Sequence, residues 1–385
     1  MLIEPPASVM AACLEWGTVG IAAGAVARLL TAVVRPWVDG DERRAWNDRA
    51  IEIGFVAAAL ALWWWEAYAA GQLPVVAAGS PPVGRPEIAA RFLAHLVLGG
   101  LLAAAAWVDL RHRVIPDAIT VPGVLLGLLW TGVDPGILLP VPREVARSFA
   151  APLIENDWLG ACGGVGTTPP PAWLGGAPAG GGLLLALGIF ATWWMWCTLP
   201  DDGPDNGAAA PPRRSVLDMR AVVLAVGAAG ITVAWWQGGT PWGGQLASIV
   251  GLAVAAGLVW LTRVGASWAL DQEALGFGDV TLMAMAGAWL GWQPCVLACF
   301  IAVFIGLAHG LVQVATRRGN ELPFGPSLCM ALAVVIVAWR PLWGATGPWF
   351  ARPAEIAAVG GAVILLTAGT LAVWRRVRGG HAERP

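Results

Sequence analysis

Two carboxylates stand where apolar sequence gives way to short polar stretches. Asp109 lies in Trp107-Val108-Asp109-Leu110-Arg111-His112-Arg113-Val114-Ile115-Pro116-Asp117, and Asp279 closes the run Glu273-Ala274-Leu275-Gly276-Phe277-Gly278-Asp279. An ionisable group at the edge of a bilayer is costly to hold, so two acids in such places point to shared chemistry. Carboxyl groups close enough to share a proton can split an amide: one, ionised, activates water, and the other, protonated, polarises the carbonyl. That pair needs water, which a membrane rim supplies more readily than its midplane. Gly276 and Gly278 permit unusual backbone angles and close approach beside Asp279. The competing reading of Asp279 is a helix N-cap.

The two aspartates are far apart in the chain, so only a folded bundle can join them. With 57% hydrophobic and 12% charged residues, and a mean hydropathy of +0.67, the chain falls well below the charged share of a soluble domain, about a quarter. Residues 221–262, 280–316 and 356–374 each hold enough apolar sequence for one or two spans of roughly 20 residues. No strand-period alternation is visible, and backbone amides in lipid must be satisfied within their own segment. The expected fold is all-α, one polytopic membrane domain over residues 1–385 with about 8–11 spans. Candidate spans fall near 10–34, 51–71, 89–108, 118–133, 181–199, 218–237, 244–262, 279–292, 294–315, 324–340 and 356–374. Met1 to Pro6 carries Glu4 and no basic region, so the first span reads as a retained anchor.

Outside the spans, residues 35–50 read as a short cytoplasmic loop. Residues 141–180, with Pro169-Pro170-Pro171, read as a long external Pro/Gly-rich loop, and 200–217 as a cytoplasmic linker. All 23 basic residues are arginine. With Asp109 and Asp279 on the cytoplasmic side, sixteen arginines fall in loops on that side and six on the other, the positive-inside asymmetry. The arginines are scattered at helix ends, which argues against a nucleic-acid partner. Clustered tryptophans, as in Trp63-Trp64-Trp65 and Trp235-Trp236, read as headgroup anchors against membrane lipid.

None of the six cysteines forms a Cys-x-x-Cys pair, so no metal is expected, nor any cofactor. Cys295 and Cys299, one helical turn apart in an apolar run, read as packing residues. His112 reads as a solvated loop residue that could tune Asp109. His95 and His309 lie in apolar spans and read as interhelical hydrogen-bonding groups. Asp117 could cap the helix that follows it or contact a substrate, and reads as the cap. Glu15, Arg28 and Glu52 are candidates to pair inside the bundle. The acidic groups Asp39, Asp41, Glu42, Asp201, Asp202 and Asp205 could attract a basic peptide or form a solvated face.

At these residues the chain resembles the type IV prepilin peptidases of the GxGD aspartic protease group. Asp109 to Pro122 is similar to the family's first catalytic segment, and Gly276-Phe277-Gly278-Asp279 with Gly287, Leu290-Gly291-Trp292 and Gly306 to its second. Leu322-Pro323-Phe324-Gly325-Pro326 is similar to the turn that follows. The resemblance implies that Asp109 and Asp279 are catalytic, supported by Gly276, Gly278, Pro116, Pro323, Gly325 and Pro326. It further implies prepilin or pseudopilin substrates cut at the cytoplasmic face of a bacterial inner membrane. Two departures stand out. Arg35 to Arg49 contains no cysteine, where many members carry a cysteine-rich region tied to N-methylation, and Thr281 replaces a common lysine. Two other classes compete: an ion-coupled transporter, which needs carboxylates near the midplane, and a silent scaffold presenting the external loop.

Overall fold

The computed structural model describes residues 3, 5–37, 48–73, 83–142, 149–150, 174–198, 213–316, 324–350 and 352–382. Twelve α-helices lie among these residues: α1 Val9–Val34, α2 Asp48–Ala67, α3 Arg85–His112, α4 Asp117–Val133, α5 Gly180–Thr198, α6 Arg213–Gln237, α7 Gly239–Leu270, α8 Phe277–Leu290, α9 Trp292–Thr316, α10 Gly325–Val337, α11 Trp339–Phe350 and α12 Pro353–Ala382. The strands described are a two-residue antiparallel pair, Val141–Pro142 with Phe149–Ala150, inside the 141–180 segment. The molecule is an all-α polytopic bundle, as its composition requires.

By length and composition, seven described helices can cross a membrane, or eight if α10 and α11, bent by 93° at their junction, make one span. The windows near 118–133, 218–237 and 279–292 hold shorter apolar stretches, at 117–133, 221–237 and 277–290, the second lying within the longer α6. For α8 the reason is enclosure. Every residue of α8 from Asp279 to Leu290 is buried, so this helix of 14 residues, about 21 Å long at the usual rise, meets protein on all sides and need not match the bilayer.

Close approach makes that enclosure possible. Gly251 on α7 faces Gly287 on α8, and a Cβ on either would strike the other's backbone carbonyl. Small residues at such a crossing let two backbones meet and gain dispersion where lipid offers no hydrophobic drive. Ser248 Oγ donates to the Ala288 carbonyl at 2.5 Å across the same interface. On the other flank α4 offers Gly123 and Gly127, whose missing side chains make room for Met285 and Trp289. The Trp289 indole N–H donates to the Gly123 carbonyl at 2.8 Å. Gly291 ends α8 at φ 82°, a left-handed conformation that favours glycine. Gly287→Leu drives α7 and α8 apart where neither backbone can yield. We expect a loss of about 3 kcal/mol or more, read as loss of monodisperse protein on detergent extraction; a normal elution profile would contradict the packing.

Several tryptophans expected at the headgroup boundary are core residues. Trp63, Trp193, Trp194, Trp289, Trp292 and Trp339 are buried, whereas Trp64, Trp236, Trp268 and Trp349 are exposed as lipid anchors would be. Trp339 and Trp242 donate to the carbonyls of Pro140 and Leu174, pinning connecting segments to the bundle. Glu15 pairs with Arg85 at 2.5 Å, while Arg28 is exposed, so the expected grouping of Glu15 with Arg28 does not form. His95 does join helices: its Nδ1 lies 3.4 Å from Glu66 Oε1, and Gln72 donates to that oxygen and to the Ile336 carbonyl. His309 Nδ1 has no hydrogen-bond partner among the described residues. Cys295 is buried and Cys299 half-buried, both free thiols, as packing residues should be.

Candidate active site

Asp109 and Asp279 come together at one end of the bundle. Asp109 sits in the last turn of α3, which closes at Arg113 in the left-handed region (φ 56°) with its N–H bonded to the Asp109 carbonyl. Asp279 sits in the first turn of α8. Both residues are buried, 6% and 7% exposed, and Ile115 packs against the positions of Gly325, beside Asp109, and of Gly278, beside Asp279. Opposed helix termini explain this placement: one helix delivers its acid on arriving at this end and the other on leaving it.

Each carboxylate faces a glycine at the start of a helix. A Cβ on Gly325, the first residue of α10, would collide with Asp109 Oδ2, and one on Gly276 would lie 4.0 Å from Asp279 Oδ2. Asp279 is not the N-cap. Gly276 occupies that position, and Asp279 stands three residues on in the first turn, where a negative charge suits the helix dipole.

Ile115 ties the segments together. A Cβ on Gly278 would lie 2.8 Å from Ile115 Cβ, and one on Gly325 would lie 2.9 Å from Ile115 Cδ1 while colliding with Asp109 Oδ2. The three motifs thus meet at one point, and two glycines are required there because the space of a methyl group is already occupied. Pro116 is the N-cap of α4, and Pro326 opens α10, each where a missing N–H costs nothing. Pro323 lies outside the described residues, as do Asp39, Asp41, Glu42, Asp201, Asp202, Asp205 and most of the 141–180 and 200–217 segments.

Other expectations change in the folded chain. Asp117 is the first residue of α4, with Pro116 and not Asp117 as its cap, so its charge faces the positive end of the helix dipole. His112 is not a free loop residue: its Nε2 meets the Trp37 carbonyl at 2.6 Å, and the two rings pack at 5.8 Å. Thr281, where a lysine is common in the resembled family, is buried and donates to the Gly278 carbonyl at 3.1 Å. Cys329, overlooked in the sequence, is buried within reach of both aspartate charges. Its position was legible in part, since it follows Gly325 by four residues and so shares its helix face. Among the described residues no group of three or more His, Cys, Asp or Glu side chains could hold a metal.

Known proteins match part of the chain. A prepilin leader peptidase/N-methyltransferase of Stutzerimonas stutzeri is 32% identical over 100 residues, covering 25% of this chain and 32% of its own length. Proteins of the same description from Escherichia coli strain K12 and Pseudomonas aeruginosa are 32% and 36% identical over 96 and 76 residues, 24% and 19% of this chain and 43% and 24% of theirs. The matches therefore span less than half the length of these curated relatives. No solved structure matches the chain. Residues 215–311 match the type IV leader peptidase family. That stretch holds Asp279 and its glycines but not Asp109, which the fold alone brings beside it. Residues 215–311 are thus similar to the type IV leader peptidase family, and the relatives matched in part are described as prepilin leader peptidase/N-methyltransferases.

Proposed function

We propose that this protein is a membrane-embedded aspartic endopeptidase that removes the leader from prepilin-like proteins. The observation that carries the reading is the buried pair of Asp109 and Asp279, each beside a helix-start glycine at one end of a helical bundle. In the reaction the ionised member takes a proton from water as the oxygen attacks the scissile carbonyl carbon. The protonated member donates to the carbonyl oxygen, giving a neutral tetrahedral diol. The first acid then passes its proton to the amide nitrogen, the C–N bond breaks, and the second recovers its proton as the carbonyl re-forms. No atom is left over, and the pair returns to its starting charge.

The arginine asymmetry supports a cytoplasmic position for this end of the bundle, where a basic leader would lie in water and the apolar helix behind it in lipid. Peptide hydrolysis alone is proposed. Residues 35–49 carry no cysteine, so the methylation named in the relatives' descriptions is not carried over. The test uses the purified full chain in lipid discs, incubated with model preproteins that join a basic leader to an apolar helix. We expect one cut at the leader–helix boundary, read by mass spectrometry; folded protein that cuts no member of the panel would end the reading. Inverted membrane vesicles should cleave added substrate and sealed right-side-out vesicles should not.

A further inference from the structure

Asp279 depends on a turn that little burial holds in place. Between α7 and α8 the chain reverses over Asp271-Gln272-Glu273-Ala274-Leu275-Gly276, of which Asp271, Gln272, Glu273 and Gly276 are exposed and Ala274 and Leu275 only half-buried. Three polar contacts from the last turns of α7 stand in for packing. Arg263 Nε donates to the Leu275 carbonyl at 2.8 Å, and Arg263 Nη2 reaches Glu273 Oε1 at 2.5 Å. Ser267, one helical turn further on, accepts the Ala274 N–H at 3.1 Å. The Arg263 guanidinium also lies 5.9 Å from the centre of the Phe277 ring.

One of these contacts bears on the candidate dyad through covalent geometry. The Leu275 carbonyl and the Gly276 N–H belong to the same peptide unit, which is planar and rigid. Arg263 holds one end of that unit, and the other end is the N-cap of α8, beside Asp279: a Cβ on Gly276 would lie 4.0 Å from Asp279 Oδ2. Gly276 has no side chain to steer the plane, and its backbone is the freest of any residue. We propose that Arg263 is the positioning residue for Asp279: by fixing the 275–276 peptide plane it fixes the N-cap from which α8, with Asp279 in its first turn, sets out. The Glu273 contact adds little, because Glu273 is 64% exposed; the Leu275 carbonyl is the contact that matters. The consequence for catalysis rests on the peptidase reading, whereas the clamp itself does not.

The experiment pairs two measurements on the full chain in lipid discs. Hydrogen–deuterium exchange reports the 271–279 segment, and cleavage of a model preprotein reports kcat and KM. Arg263→Ala should raise exchange across 271–279 about tenfold and lower kcat about 10- to 100-fold, the cost of a misplaced catalytic group, with KM within about twofold. Arg263→Lys keeps one donor but not the planar fork, and should fall between wild type and Arg263→Ala in both readouts. Arg375→Ala removes an ion pair to exposed Asp271 at 3.6 Å on the same turn and should leave both unchanged. Unchanged exchange in Arg263→Ala overturns the clamp whether or not the wild type cleaves anything. Raised exchange with an unchanged kcat overturns its positioning role. A rise in KM at constant kcat does the same, since that pattern marks a substrate contact. A wild type that cuts no leader while exchange still responds would count against the peptidase reading and leave the clamp standing.

Discussion

We expect Asp109→Asn and Asp279→Asn each to reduce the proposed leader cleavage by about 10³-fold or more, while the protein extracts and elutes as wild type does. Removing a positioned acid or base costs typically 10² to 10⁴, and in a shared-proton pair one substitution removes both functions, because neither acid alone can act as donor and acceptor in turn. Asparagine keeps the volume of aspartate and one acceptor oxygen, so it fits the same two buried positions. Folding is therefore spared while chemistry is lost. The double substitution should be scarcely slower than either single one, since residues that act as a unit do not add. Initial rates on a quenched-fluorescence preprotein, with elution profiles of each variant beside them, decide the matter. A single variant retaining a tenth of wild-type activity would show that the pair does not share a proton.

The second large effect comes from a single methyl group. Gly325→Ala places a Cβ against Asp109 Oδ2 and 2.9 Å from Ile115 Cδ1. The acid must swing away or α10 must retreat, and either movement separates Asp109 from Asp279. A displacement on the order of 1 Å at a reacting group costs about 10²-fold, so kcat should fall by about that factor. Affinity for the preprotein should change little, because the new atom faces the acid and Ile115. Gly306→Ala serves as the comparison: it is also a glycine of a motif segment, but its Cβ would meet its nearest neighbours, Ser327 Oγ and the Phe324 ring, at 3.7 and 3.8 Å, ordinary contact distances. It should retain most activity. Equal activity in Gly325→Ala and wild type would mean that Asp109 does not need its present geometry.

The amino-acid sequence by itself determined the class of fold, because a run of apolar side chains in lipid leaves its backbone no choice but a helix, and that constraint acts within each segment. It also marked Asp109, Asp279 and the glycines beside them, since an acid at a helix end is conspicuous against so apolar a background. Local signals could not count the membrane spans. Whether a short apolar helix such as α8 meets lipid or protein depends on what encloses it, and here Gly251, Gly123 and Gly127 let two other helices close over it. Nor could they show that Gly276 rather than Asp279 caps α8, or that His112 turns to Trp37. Those choices are made by neighbours distant in the chain.

The approach of the two acids was decided by tertiary structure alone. The ends of α3, α8 and α10 meet around Ile115, which touches the positions of Gly278 and Gly325 together, and no spacing in the chain encodes that meeting. The physical reason is that backbone hydrogen bonding is satisfied residue by residue, whereas close packing is satisfied only by the whole bundle at once. A missing Cβ is legible as a letter, but what occupies the space it leaves is known only when the helices are in place.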